Sequence, residues 1–133
     1  MSQCSGNDAP ISKGDKLNKQ QCLKNNLERD SMKDKPYTSN VGNLMYAQVC
    51  TRPDIAFAVS ILCRFQSDAG LAYWTASKKV MRYLLRTRDF KLVYRRDERL
   101  EVVGYSDSDF SGCTDDMKST SGYVFLMGRG AIS

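Results

Sequence analysis

Two aspartates that follow an apolar run are the residues of this chain best suited to metal chemistry. Residues 100–105 favour a β-strand, and Asp107 and Asp109 come directly after them. Asp favours strand ends and turns, so we predict that Asp107 lies at the tip of the strand. On a continuing strand the two carboxylates would share a face and repel each other, unless a cation such as Mg²⁺, which takes oxygen ligands, lay between them. The alternative is an Asp-Ser-Asp turn that closes a hairpin.

A set of basic residues in the middle of the chain is the second candidate site. We predict a helix over residues 71–88, in which Lys78, Arg82 and Arg86 are spaced four apart and Lys79 lies beside them. This stripe can follow the phosphates of a nucleic acid. The alternative is a solvated outer helix face without a partner.

Length and composition indicate a soluble globular chain of about one domain. The 133 residues are 41% hydrophobic and 26% charged, which is typical of a folded rather than a disordered protein. The net charge of +5 is compatible with a phosphate-rich partner without requiring one.

The cysteines give no sign of a zinc site or of a disulfide framework. The chain has five cysteines, no Cys-x-x-Cys pair and no histidine. An odd, irregular set of this kind favours reduced thiols inside the cell. The N-terminus is polar and no apolar run is long enough to span a bilayer, so we expect an intracellular protein of the cytoplasm or nucleus without a membrane partner.

The order of patterns along the chain predicts an α+β fold. Residues 1–35 form a polar, poorly ordered arm, residues 36–90 form a small helical bundle, and residues 91–133 form an incomplete antiparallel β-sheet. In the helical part, apolar residues recur at three-to-four spacing and Pro53 starts a helix. In the second part, alternating or β-branched runs predict strands over residues 90–95, 100–105 and 120–127, with a further strand opening at Ala131.

A series of short motifs then links the two parts to a known family. The motifs, in order, are residues 36–47 (PYTSNVGNLMYA), residues 50–56 (CTRPDIA), Trp74, the triplet Arg82-Tyr83-Leu84, residues 104–110 (GYSDSDF) and residues 119–123 (STSGY). With these motifs in this order and spacing, residues 9–133 closely resemble the Pol polyprotein of copia-type LTR retrotransposons, those of plants above all.

The resemblance implies where in Pol such a chain lies. Residues 36–90 resemble the C-terminal end of the reverse transcriptase, its thumb and connection region, and residues 91–133 resemble the start of the ribonuclease H domain. It also implies that Asp107 matches the first carboxylate of the ribonuclease H metal site, where Mg²⁺ ions assist cleavage of a phosphodiester.

The chain departs from the family where catalysis is concerned. It lacks the Asp-Asp motif of the polymerase, and the later ribonuclease H carboxylates of the family lie beyond Ser133. We therefore expect a catalytically inactive remnant of Pol, with Asp107 vestigial and no Mg²⁺ bound. Expected partners are the remainder of a longer Pol chain and, weakly and without sequence specificity, an RNA–DNA hybrid or other nucleic acid. The alternative function is a non-enzymatic nucleic-acid-binding module that uses Lys78, Lys79, Arg82 and Arg86.

Overall fold

The chain consists of a helical unit followed by a strand unit. A computed structural model describes residues 9–11, 15, 17–91, 101–109, 119–127 and 130–131. The chain divides into two compact units, Met1–Asp89 and Phe90–Ser133. All described helices lie in the first unit and all described strands in the second, so the predicted α+β class is confirmed.

The helical unit contains four α-helices and two short 3-10 helices among its described residues. The α-helices are α1 (Asn26–Lys33), α2 (Tyr37–Cys50), α3 (Ala56–Cys63) and α4 (Leu71–Arg86), and the 3-10 helices are Lys19–Gln21 and Pro53–Ile55. Asn25 caps α1 because its side-chain oxygen accepts a hydrogen bond from the backbone N–H of Glu28 at 2.8 Å. Within the described residues, no helix combines the length and the apolar character needed to cross a membrane.

The core of this unit lies where α2, α3 and α4 meet. Tyr73, Ile55, Leu62, Val41 and Val80 are the largest apolar side chains that are fully buried. The hydroxyl of the buried Tyr37 donates a hydrogen bond to the backbone oxygen of Leu62 at 2.8 Å, which joins α2 to α3. The three-to-four spacing therefore gives each helix one core face, as its pattern predicts.

Part of the polar arm is held against the helices. The backbone N–H of Leu23 donates to the oxygen of Asp68 at 2.8 Å, and Cys22 forms an isolated antiparallel bridge with Ala69. Met32, at the end of α1, is buried in the core. Backbone pairing thus gives the described part of residues 1–35 contacts with the rest of the helical unit that hydrophobic periodicity does not reveal.

The strand unit is an antiparallel sheet in the order β1-β2-β3. The strands are β1 (Val102–Asp109), β2 (Thr120–Met127) and β3 (Gly130–Ala131). The described side chains of β1 and β2 are exposed, apart from the half-buried Leu126. The strand predicted over residues 90–95 falls largely outside the described residues.

The length of β1 corrects the predicted place of Asp107. The strand continues two residues past Asp107, so this residue lies within the strand and not at its tip. Ser108 pairs with Ser121 and Asp109 with Thr120, so an Asp-Ser-Asp turn is also wrong. The physical reason is that register pairing with β2 continues through both aspartates and outweighs the weak strand preference of Asp.

Candidate metal carboxylate and basic helix face

Asp107 lies on one face of the β1–β2 pair. Its partner in the register is Gly122, and the next pairs on the same face are Tyr105 with Val124 and Val103 with Leu126. The side chain of Asp107 is exposed.

The residues that the structure describes form no two-metal site around Asp107. Among the described residues, no three histidine, cysteine, aspartate or glutamate side chains are grouped so that they could hold a metal ion. Two metal ions at catalytic spacing, roughly 3.5–4 Å apart, need several carboxylates to offset their mutual repulsion. Among the described residues Asp107 has no such group of carboxylates around it, so it does not by itself fit the Mg²⁺ site of the family.

The basic stripe on α4 is present, but its four members differ in their surroundings. Arg82 and Arg86 are exposed. Lys78 is half-buried, with its Nζ 5.7 Å from the centroid of the Trp74 ring, in cation–π geometry. Lys79 forms an ion pair with Asp15. Lys78, Arg82 and Arg86 follow one another at a spacing of four residues on α4, whereas Lys79 is paired with a carboxylate. We call these three residues the basic α4 face.

A cluster that the sequence did not predict connects two of the motifs. Arg52 donates to both carboxylate oxygens of Asp54, from Nε to Oδ1 at 2.9 Å and from Nη2 to Oδ2 at 2.7 Å. The Tyr83 hydroxyl donates to Asp54 Oδ2 at 2.7 Å, and Arg52 Nη2 donates to Thr87 Oγ1 at 2.6 Å. The Arg52 guanidinium also lies over the Tyr83 ring, 5.4 Å from its centroid. We call these four residues the Arg52 cluster.

The electrostatics of this cluster are those of a structural ion pair. The hydrogen bond from Arg52, with a further one from Tyr83, holds the pKa of the Asp54 carboxyl below its usual value. The hydrogen bond that Tyr83 donates to Asp54 also raises the pKa of the Tyr83 hydroxyl. Asp54 stays ionised and Tyr83 stays protonated near neutral pH. The cluster therefore fixes the start of α3 against the end of α4 and offers no free acid or base.

The Arg52 cluster explains why two sequence motifs occur together. Arg52 and Asp54 belong to the motif at residues 50–56, and Tyr83 belongs to the Arg82-Tyr83-Leu84 triplet. The local signals were the Arg-Pro-Asp sequence at a helix start and the spacing of four between Tyr83 and Thr87. Neither indicated that residues 29 positions apart, such as Asp54 and Tyr83, would meet.

Comparison with known proteins places the chain among transposon proteins. It is 43% identical over 118 residues to the retrovirus-related Pol polyprotein from transposon TNT 1-94 of Nicotiana tabacum, covering 89% of this chain and 9% of that protein. It is 38% identical over 97 residues to the Pol polyprotein from transposon RE2 of Arabidopsis thaliana, covering 73% of this chain and 7% of the relative. It is also 45% identical over 102 residues to Secreted RxLR effector protein 161 of Plasmopara viticola, covering 77% of this chain and 72% of the relative.

The two Pol polyproteins define the class of protein to which this chain is related. No family model and no solved structure matches the chain. The chain belongs to the retrovirus-related Pol polyproteins of transposons, of plant type, and corresponds to a short part of such a polyprotein. It spans under a tenth of the length of the two Pol relatives described above. The predicted membership of the retrotransposon Pol family is thereby confirmed.

Proposed function

We propose that this chain is a non-catalytic segment of Pol that comprises the end of the reverse transcriptase and the start of the ribonuclease H domain. The reverse transcriptase part is residues 36–90, and the ribonuclease H part is residues 91–133. The observation that carries the proposal is that Asp107 lies within a strand of an antiparallel sheet, exposed and without a group of further ligands among the described residues. The division of the chain into two compact units between Asp89 and Phe90 supports the boundary between the two parts.

In this proposal Asp107 is the vestigial counterpart of the first ribonuclease H carboxylate. The Mg²⁺ chemistry belongs to the longer parent polyprotein, in which further carboxylates would complete the site. The exposed side chain of Asp107 in this chain is free to interact with water and counterions. No cleavage step is assigned to it, because its described neighbours do not supply the other ligands.

Titration with Mn²⁺, a paramagnetic substitute for Mg²⁺, followed by NMR tests the proposal that Asp107 is vestigial. We expect the amide signals near Asp107 and near the exposed Glu101 to broaden weakly and to the same extent as Mn²⁺ is added. Selective broadening around Asp107 at micromolar Mn²⁺, lost in Asp107→Asn but retained in Glu101→Gln, would show a built metal site and refute the proposal.

A second function, nucleic-acid binding, is favoured by the basic α4 face. Lys78, Arg82 and Arg86 advance along the same side of α4 in steps of four residues, and both arginines are exposed. At 1.5 Å per residue the steps are about 6 Å, close to the phosphate spacing along one strand. Lys79 takes no part in this proposal because Asp15 neutralises it. Such contacts would recognise phosphates in any sequence and would release counterions on binding.

Binding to an RNA–DNA hybrid at two or more salt concentrations tests the second function. Three phosphate contacts give a slope of log K against log salt of about −3, and Arg82→Ala should reduce its magnitude by about 1. Arg64→Ala is the matched control, because Arg64 is also exposed but lies outside α4. The absence of binding at low salt, or equal losses in the two variants, would eliminate this function.

A further inference from the structure

A fourth basic residue of α4 lies beside the basic α4 face, but it is paired with the polar arm of residues 1–35. By helical position Lys79 stands three residues before Arg82 and seven before Arg86, the spacing of neighbours on one side of a helix. Its ammonium forms an ion pair with the carboxylate of Asp15, 64 positions earlier in the chain. The arm thus neutralises a cation that would otherwise extend the basic α4 face.

Further contacts of the arm hold Asp15 at α4. The hydroxyl of Tyr73, a buried residue of α4, donates a hydrogen bond to the backbone oxygen of Asn18 at 3.2 Å. Leu17 is half-buried and packs against the hydrophobic core of the helical unit. These contacts lie two and three residues after Asp15, so the arm itself keeps this carboxylate close to Lys79.

The exposure of this ion pair leaves it open to competition from another anion. The side chains of Lys79 and Asp15 are 32% and 20% exposed, so water reaches both, and ion pairs that water reaches contribute little to stability. Lysine is a flexible point charge that binds carboxylate and phosphate oxygens alike. A phosphate of a nucleic acid that lies along α4 therefore competes with Asp15 for the same ammonium.

We propose that the arm inhibits nucleic-acid binding at the basic α4 face, because Asp15 occupies Lys79. This inference rests on the nucleic-acid-binding function proposed above and adds a means of regulating it. When the carboxylate of Asp15 is removed or displaced from α4, Lys79 becomes a fourth phosphate contact. One more contact increases the magnitude of the slope of log K against log salt by about 1 and tightens binding roughly five- to tenfold at about 0.1 M salt.

Binding of an RNA–DNA hybrid by the full chain, measured over a series of salt concentrations, tests this proposal in a double-mutant cycle. We expect Asp15→Asn to bind more tightly and with the steeper slope. Lys79→Gln alone should change the affinity by less than about twofold, because its ammonium is already paired. In the Asp15→Asn background, Lys79→Gln should remove the whole gain.

Asp68→Asn is the matched control for this cycle. Asp68 also forms an ion pair with the arm, through Arg29, and its replacement adds the same charge to the chain without releasing a residue of α4. We expect its affinity for the hybrid to stay within about twofold of the wild-type value.

Two results would overturn the inhibition by Asp15 and leave the nucleic-acid-binding function in place. The first is a wild-type chain that binds the hybrid as tightly as Asp15→Asn does. The second is a gain in affinity that Asp68→Asn reproduces, or that Lys79→Gln does not remove, which would assign the gain to net charge or to another contact of Asp15. If neither the wild type nor Asp15→Asn binds the hybrid at low salt, the binding function itself is wrong, and the inhibition with it.

Discussion

At the scale of single residues, the contacts of Asp54 connect the ends of two helices. Asp54 accepts hydrogen bonds from Arg52 and Tyr83, and Arg52 in turn donates to Thr87. The side chain of Asp54 is 39% exposed, so solvent screens part of its attraction to Arg52. The Arg52 cluster is therefore expected to contribute moderately to stability and to make that stability depend on pH.

We expect Asp54→Asn to lower the free energy of unfolding by about 1 kcal/mol at pH 7. The pKa of Asp54 is lowered in the folded state, so its contribution is present above the unfolded-state pKa of about 3.9 and is lost as the pH falls through the lower, folded-state value. The difference in free energy of unfolding between the wild type and Asp54→Asn should therefore disappear as the pH falls below about 4. Urea unfolding at a series of pH values measures this.

Asp89→Asn is the matched control for this experiment. Asp89 also forms an ion pair, with Arg88, but its side chain is 83% exposed. We expect a change within about 0.5 kcal/mol and no convergence with the wild type in acid. Equal effects of the two substitutions would show that the Arg52 cluster does not stabilise the fold.

Residue-scale prediction from sequence succeeded for periodic features and failed for long-range pairs. The alignment of Lys78, Arg82 and Arg86 follows from helical spacing alone. The pairing of Lys79 with Asp15 joins residues 64 positions apart, and no local pattern indicates it. The Arg52 cluster was missed for the same reason.

At the scale of elements, the turn before α4 is held against the arm by a close backbone contact. A Cβ atom built on Gly70 would lie 2.2 Å from the backbone oxygen of Gln21. This approach accompanies the bridge between Cys22 and Ala69 and the hydrogen bond from Leu23 to Asp68. Backbone atoms cannot move aside as a flexible side chain can, so the arm and a side chain at position 70 compete for the same space.

Two glycine substitutions should therefore have opposite effects. We expect Gly70→Ala to destabilise the chain by about 1–3 kcal/mol and to speed hydrogen exchange at the Leu23 amide, because the arm must shift. We expect Gly42→Ala to stabilise it by up to about 1 kcal/mol, because alanine favours the helix and meets open space. Thermal unfolding at low protein concentration measures both. Equal stability of the two variants would contradict the close contact at Gly70.

Element boundaries followed from the sequence where one local signal dominated. The predicted start of the third helix at Leu71 and the predicted strand over residues 120–127 agree with α4 and β2. The end of β1 was placed too early because local preference suggested a break at Asp107, whereas register pairing with β2 extends the strand to Asp109. The end of a strand depends on the segment that it pairs with, so the sequence of one strand alone does not predict it.

At the scale of the whole molecule, the buried apolar residues belong to one unit. Among the described residues, every member of the buried hydrophobic cluster, from Met32 to Val80, lies within Met1–Asp89. The described strands have mostly exposed side chains, and small isolated sheets are only marginally stable in water.

We expect residues 1–89 alone to unfold cooperatively, with a Tm within about 5 °C of the Tm of the full chain. Residues 90–133 alone should show no cooperative transition, because they lack a buried core among their described residues. Circular dichroism and calorimetry on the two fragments measure this. An unfolded 1–89 fragment would show that the helical unit depends on the residues after it.

The most direct test of the central claim, that this chain is a non-catalytic segment of Pol, is an activity assay on the purified full chain in Mg²⁺. The substrates are a labelled RNA–DNA hybrid and a primed RNA template, and Asp107→Asn is the reference. The account predicts no DNA synthesis and no hybrid cleavage above the rate of the Asp107→Asn chain. Mg²⁺-dependent cleavage by the wild type that Asp107→Asn abolishes would contradict it.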